Sequence, residues 1–511
     1  MRRAEVLVLL LTAAVLTTSC TVGPDYVRPS TQVPSGYKEA GTWKPAEPRD
    51  DVSRGKWWEI FGDPELDALL ERVNISNQNI VVAEAQFRGA QALVQQARAG
   101  YFPTLTIGVS TVRSQSPNLP NAPSTTRPVT TYNLPTNAIW EPDLWGSVRR
   151  AVESSEASAQ ASAANLESAR LSAQATLAQN YFLLRIADAQ KKLLDDTVAA
   201  FERSLELTKN RYAAGVAAKV DVVQATTQLK STQAQAIEIG VQRSALEHAI
   251  AVLIGEPPEA FSIAPAPLEV VPPGIPVGVP SELLERRPDI AAAERSVATA
   301  NAQIGVAIAA FYPTLTLSAA GGFRSTDSAN WLSVPSRYWS VGAALAQVLF
   351  DGGLRSGVTA QARAAYDGNV AAYRQTVLTG FQEVEDNLAA LRILEEEAAV
   401  QAEAVAAARQ SVELTTNQYK AGIVSYLNVV AVQTVALNNE RTAVGILGRR
   451  LTASVSLVKA LGGGWNASEL PTAGSGSLTH YPEGRGSDGT RTAQPKPVQA
   501  SSRAELGAEF H

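Results

Sequence analysis

Cysteine is almost missing from this chain: one residue in 511, Cys20, so no disulfide can form within it. Histidine is nearly as scarce, and of its three residues His480 and His511 stand in the last stretch, leaving only His248 mid-chain. No metal-ligand spacing, phosphate loop or nucleophile motif accompanies them, which argues against an enzyme and against a metal site. Beyond the first residues no apolar run is long enough for a transmembrane helix. A membrane crossing by the mature chain would therefore have to be a β-barrel. Charge is mildly acidic, net −5 with pI near 5.6, both signs interspersed, so nothing marks a nucleic-acid partner.

What is present begins with a secretory signal over residues 1–19. Arg2 and Arg3 precede an apolar run from Val6 to Leu16, and Thr17, Thr18 and Ser19 lead to Cys20. The sole cysteine falls where bacterial lipoprotein processing attaches lipid. The expected modification is a diacylglycerol and an N-acyl chain such as palmitate on Cys20, with no other cofactor. Thr17 stands three before the cysteine, where such signals usually carry Leu; Leu16 is one residue further back. Thr21 follows in place of Asp, so nothing suggests retention in the inner membrane.

The chain is written twice. Ile80-Val81-Val82-Ala83-Glu84 returns as Ile290-Ala291-Ala292-Ala293-Glu294, and Tyr101-Phe102-Pro103-Thr104-Leu105-Thr106 as Phe311-Tyr312-Pro313-Thr314-Leu315-Thr316. Leu144-Trp145-Gly146 with Arg149 returns as Phe350-Asp351-Gly352 with Arg355. Glu206-Leu207-Thr208 with Asn210, Tyr212 and Gly215 returns as Glu413-Leu414-Thr415 with Asn417, Tyr419 and Gly422. Matches in one order at so long a period indicate a duplicated domain rather than a solenoid. The organisation expected is an anchor and equatorial segment (20–65), a first repeat (66–255), a proline-rich linker (256–281), a second repeat (282–461), and a short equatorial end with a disordered tail (462–511).

Each copy reads helix, strand pair, long helix, helix. Leu66 to about Gly100 is rich in Ala and Gln and free of proline, hence helical. From Thr104 the pattern switches to period two, with Leu105, Ile107 and Val109 on one face. The long helices run from about Ser147 to Tyr212 and from Leu354 to Tyr419, each about 100 Å. Leu194, Val198, Phe201, Leu205, Thr208 and Tyr212 form a coiled-coil seam, matched by Val405, Ala408, Val412, Thr415 and Tyr419. Both helices stop at Tyr-x-x-Gly, where Gly215 and Gly422 suit a left-handed closing residue, and a second helix follows each tip. The chain is thus mainly α with a smaller β portion.

Four period-two strands of about ten residues suit a tilted membrane strand, yet four cannot close a barrel. Several chains must share one: two would supply about eight strands and three about twelve. A structural coiled-coil lipoprotein is the rival reading, but it leaves the paired strands and the tip glycines unexplained.

Cys20-Thr21-Val22-Gly23-Pro24-Asp25-Tyr26 with Arg28-Pro29, Trp57-Trp58 with Phe61 and Asp63-Pro64, and Leu283-Leu284 with Arg286-Arg287-Pro288-Asp289-Ile290 resemble the outer-membrane factor (TolC-like) family of tripartite efflux systems. More narrowly, they are similar to its NodT-like lipoprotein branch. The resemblance implies a homotrimer in the outer membrane, a twelve-stranded β-barrel continued by a periplasmic α-barrel. It implies passive conduction of drugs or other small molecules, hence a part in antibiotic resistance. The implied partners are a periplasmic adaptor, an RND-type or other inner-membrane transporter, and outer-membrane lipid. A type I protein or signal-molecule secretion duct is the alternative within this class. By the same resemblance the tips, with Tyr212, Gly215, Tyr419 and Gly422, would contact the adaptor, and Asp221, Tyr419 and Asn428 would form the periplasmic gate. Family members commonly carry acidic residues where Asn428 and Ala431 stand here, so closure is expected from packing and a Tyr419–Asp221 hydrogen bond.

Overall fold

A computed structural model describes residues 21–40, 56–115, 127–268, 270–275 and 280–471. The signal, Cys20, part of the first strand loop, part of the linker and the tail lie outside these residues. The described residues fall in one compact unit, and none of its helices is long and apolar enough to cross a membrane.

Helix α1 (Pro64–Ser76) starts on Asp63, whose carboxylate accepts from the N–H groups of Glu65 and Leu66 at 3.0 and 3.2 Å, with Pro64 at the first helical position. The single helix expected over 66–100 is in fact broken. Asn77 adopts extended backbone, ends α1, and its side chain caps α2 (Gln78–Arg98) by accepting from Asn79 and Ile80. Composition favoured an unbroken helix, but a capping asparagine satisfies two free N–H groups and permits a bend.

Strands β1 (Thr104–Ile107) and β2 (Ser110–Ser114) both pair with β3 (Val129–Trp140) in one continuous register. The gap falls opposite Pro135, which has no N–H to give, while Gly108 still donates to the Pro135 carbonyl at 3.0 Å. After β3 come α3 (Ser147–Ala213) and α4 (Lys219–Leu253), a long hairpin. The second copy follows as α5 (Leu283–Arg286), α6 (Pro288–Ala309), β4 (Thr314–Ser325), β5 (Arg337–Ala346), α7 (Leu354–Lys420) and α8 (Tyr426–Ala460). The two long helices have 67 residues each, about 100 Å, and their bounds lie within a residue of those expected.

The sheet runs β1/β2, β3, β4, β5, every neighbour antiparallel, with both outer edges unpaired. Register fixes its faces. Leu105, Ala138, Ala319 and Val341 share one row, with Trp140, Leu317 and Ala343 in the next on the same face. The opposite face carries rows such as Thr106, Asn137, Ala320 and Ser340. One face is therefore apolar and solvent-exposed, the other small and polar.

The main core gathers residues of the segment before α1 with α1, α3, α6, α7 and α8. Trp57, Trp58, Phe61, Leu66, Leu70, Tyr181, Phe182, Ile290, Tyr373 and Leu451 pack together there. Helix α6 sits between α3 and α7, and α8 packs against α7, α3 and α4.

Candidate functional site at the hairpin tips

Each long helix closes on a glycine in the left-handed region, φ +75° at Gly215 and +78° at Gly422. Val216 then donates to the Arg211 carbonyl at 2.8 Å, and Ile423 to the Gln418 carbonyl at 2.9 Å. That six-to-one bond satisfies otherwise orphaned carbonyls, and a Cβ at either glycine would strain it. Three residues separate each glycine from the next helix, so the tips are short.

The tips differ in what they bury. Tyr419 (4% exposed) and Tyr426 form a core with Phe201, Leu205, Leu229 and Val429. The two rings meet edge to face, centroids 5.3 Å apart. Arg211 of the first tip lies over the Tyr419 ring at 4.9 Å and donates to the Lys420 carbonyl at 2.9 Å, capping the other hairpin's helix. The Tyr426 hydroxyl bonds Ser204 Oγ at 3.1 Å. Burial holds that hydroxyl above its ordinary pKa, with nearby Tyr419 and Asp221 adding to the effect.

The expected Tyr419–Asp221 hydrogen bond is not made within the chain. The Tyr419 hydroxyl is buried without a partner, because its ring turns toward Arg211 and Tyr426 instead. Asp221 is half-buried in the first turn of α4, where the helix N-terminus favours a carboxylate. Asn428 is exposed, and neither side chain has a hydrogen-bond partner among the described residues. Tyr212 also departs from expectation: it is 47% exposed and lies off the seam that buries Leu194, Phe201, Leu205 and Thr208. Tyr426 was missed by sequence reasoning. Its signal was available, since it stands where the first copy has Lys219.

At the opposite end of the hairpins, Thr21 to Tyr26 straps the junction of strand and helix. Val22 donates to the Trp145 carbonyl at 3.1 Å, and Gly23 lies so close to Gly305 that a Cβ would collide with its backbone. Buried Arg150 gathers the Val22 and Gly23 carbonyls, Asp25 at 2.9 Å and Glu153 at 2.8 Å. Asn301 holds the Pro24 carbonyl at 3.0 Å, and Tyr26 bonds Glu294. Midway along, Trp57 donates to Gln174 at 3.0 Å, Tyr181 to Asp63 at 2.7 Å, and Arg287 to Asp289, Glu383 and the Ala460 carbonyl. The motifs behind the family resemblance thus cluster as a belt and a strap. Among the described residues no cluster of His, Cys, Asp and Glu could hold a metal.

Residues 69–256 and 279–463 match the family described as outer membrane efflux protein. The chain is 32% identical over 441 residues to the pyoverdine export outer membrane protein OpmQ of Pseudomonas aeruginosa, covering 85% of this chain and 93% of that one. It is 29% identical over 449 residues to the toluene efflux pump outer membrane protein TtgC of Pseudomonas putida, covering 87% and 93%. Among solved structures, the outer-membrane channel OprN superposes with a TM-score of 0.82 at 30% identity, over 87% of this chain and all of that one.

Proposed function

Since the chain belongs to the outer membrane efflux protein family, we propose that three copies close one barrel and conduct small molecules passively from a periplasmic pump assembly to the exterior. The observation that carries this is the open sheet. Each chain presents four alternating antiparallel strands with an apolar face and two unpaired edges, and such edges are not viable in lipid. An even number of strands lets β5 of one copy run antiparallel to β1/β2 of the next, so the ring closes without a parallel mismatch. Aromatic side chains flank the apolar band, Trp140 and Tyr312 toward the helices and Tyr132 against Trp331 toward the loops.

The helices support the same closure. In the first copy's terms, α6 is gripped by α3 and α7, whereas its twin α2 packs on α3 and keeps Val82 55% exposed. In the register set by the two long helices, which start at Ser147 and Leu354 and close on Gly215 and Gly422, the intrachain pair Arg150 on Gly305 corresponds to Gly357 and Gln95, large and small exchanged. A Cβ at Gly357 would meet nothing within 4 Å in the single chain. Docking α2 of one copy on α7 of the next would put Gln95 against that open glycine.

The strap supports a lipid on Cys20. It places Thr21 against Gly146, where the strands give way to helices, so an acyl chain on the preceding residue would enter the membrane at the barrel's base. The tips at the far end, with Tyr212, Gly215 and Gly422 exposed, are the surface for a periplasmic adaptor. Two relatives export unlike cargo, so the choice of substrate is assigned to the inner-membrane transporter. Purified protein from outer membranes should run as a trimer and form pores in planar bilayers. A monomer without conductance would overturn the duct.

A further inference from the structure

The membrane portion of this acidic chain is basic. Residues 102–140 and 314–346 carry Arg113, Arg127, Arg324 and Arg337 against Asp327 alone, while the whole chain is net −5. All of these charges lie near the loop end of the sheet, away from the helices. Register separates them. Arg337 pairs with Phe323 and Arg113 with Thr130, both on the apolar, lipid-side face. Arg324 pairs with Asn133 and belongs to the polar face, as do Ser318, Asn137 and Ser340. It is the one charged side chain that the described strands place on that face.

Arg324 is held there. Its guanidinium lies over the Tyr338 ring at 5.0 Å, and Tyr338 is on the same face opposite Gly322. No carboxylate neutralises it among the described residues. Asp327 spends its oxygens within its own loop, on the Ala329 N–H at 2.9 Å and the Asn330 amide at 3.2 Å. The segment between β2 and β3, residues 116–126, contains no acidic residue in its sequence.

We propose that Arg324, repeated by the trimer, forms a cationic ring inside the outer mouth of the barrel that binds anionic groups of departing solutes. The inference rests on the trimeric barrel proposed above. About twelve strands spaced about 4.8 Å apart and tilted about 40° enclose a backbone radius of about 12 Å. Arginine side chains reaching inward from that wall come within a Debye length, about 8–10 Å, of the axis. Every solute leaving the duct therefore passes through their field, at the opposite end from the Asp221 carboxylates. Phosphate and carboxylate groups suit the guanidinium fork.

The test is block of single trimers in planar bilayers by inorganic tripolyphosphate added from the loop side. Wild type should be blocked, with shallow voltage dependence because the ring lies at the mouth. Arg324→Gln should weaken block at least tenfold, Arg324→Lys should retain it, and Arg113→Gln, on the lipid side, should leave it unchanged. Equal block of Arg324→Gln and wild type would overturn the proposal. So would a steep voltage dependence in the wild type, a reading that needs no variant to assemble. Absence of any pore in the wild type would instead strike the duct reading.

Discussion

Helices α3 and α7 have the same length and the same place in their repeats, yet their membrane-proximal halves live in different surroundings. Along α3, Arg150, Ala157, Ala161 and Ala164 are buried, with Arg150 against Gly305 and Ala164 against Ala291 and Ala292 of α6. The matching stretch of α7 holds Gly357, Gly368 and Ala371, all exposed. A single chain covers α3 with both α2 and α6 but α7 with α6 alone, while α2, the twin of α6, has a bare face. The duplication thus records the missing contact: what α6 does for α3 within a chain, α2 of a neighbouring copy would do for α7.

The largest effect should come from breaking the intrachain half. Ala164, 0% exposed, packs on Ala291, Ala292 and Trp465. Ala164→Glu buries an unpaired charge and should cost about 3–5 kcal/mol, so the protein fails to accumulate in outer membranes. Ala371→Glu, at the equivalent position, should leave the chain folded by circular dichroism but abolish the trimer on unheated gels. If both variants destabilise the monomer equally, the two surfaces are not different in kind.

A second prediction sharpens the match. Gly357→Arg should weaken the trimer by overpacking against Gln95 of the neighbour. Adding Gln95→Gly copies the Arg150–Gly305 pair into the interface and should restore it. The measurement is thermal dissociation of the trimer. A double variant no better than the single one would place α2 elsewhere.

How much of this was readable beforehand follows from the same physics. The helical hairpins were legible because a helix of 67 residues announces itself by composition, and its closing glycine by chemistry at Gly215 and Gly422. The strands were legible by alternation at Leu105 and Ile107, though not the gap at Gly108 and Val109 that divides β1 from β2. The break at Asn77 was not, since a capping side chain competes with a favourable helical run by only about 1 kcal/mol. The environments of Tyr212 and Tyr419 were not legible either. They occupy the same place in the repeat, and what separates them is which neighbouring hairpin their chain lays beside them.

The tips carry the comparison to smaller energies. Tyr426→Phe removes a bond to Ser204 and should cost about 1 kcal/mol. Tyr419→Phe removes a hydroxyl with no partner in its own chain and should be neutral within about 0.5 kcal/mol. Chemical denaturation of detergent-solubilised protein would measure both. A cost of 1 kcal/mol or more for Tyr419→Phe, in the trimer alone, would mean that this hydroxyl bonds across a protomer boundary.

The smallest effect concerns charge. Asp221 and Asn428 follow their tip glycines at the same distance, so exchanging their chemistry would change the carboxylate ring that the proposed trimer places at the periplasmic end, and little else. Asp221→Asn should lower the preference for cations read from reversal potentials in a salt gradient. Asn428→Asp should raise it, and the pair together should return it near the starting value. Each added or removed carboxylate is half-exposed or exposed, so screening limits the shift to a few-fold in permeability ratio. Were Asn428→Asp to leave the ratio unchanged while Asp221→Asn moved it, the second tip would face away from the conducting path. The gate would then rest on the first hairpin alone, with Arg211 over Tyr419 tying the second to it.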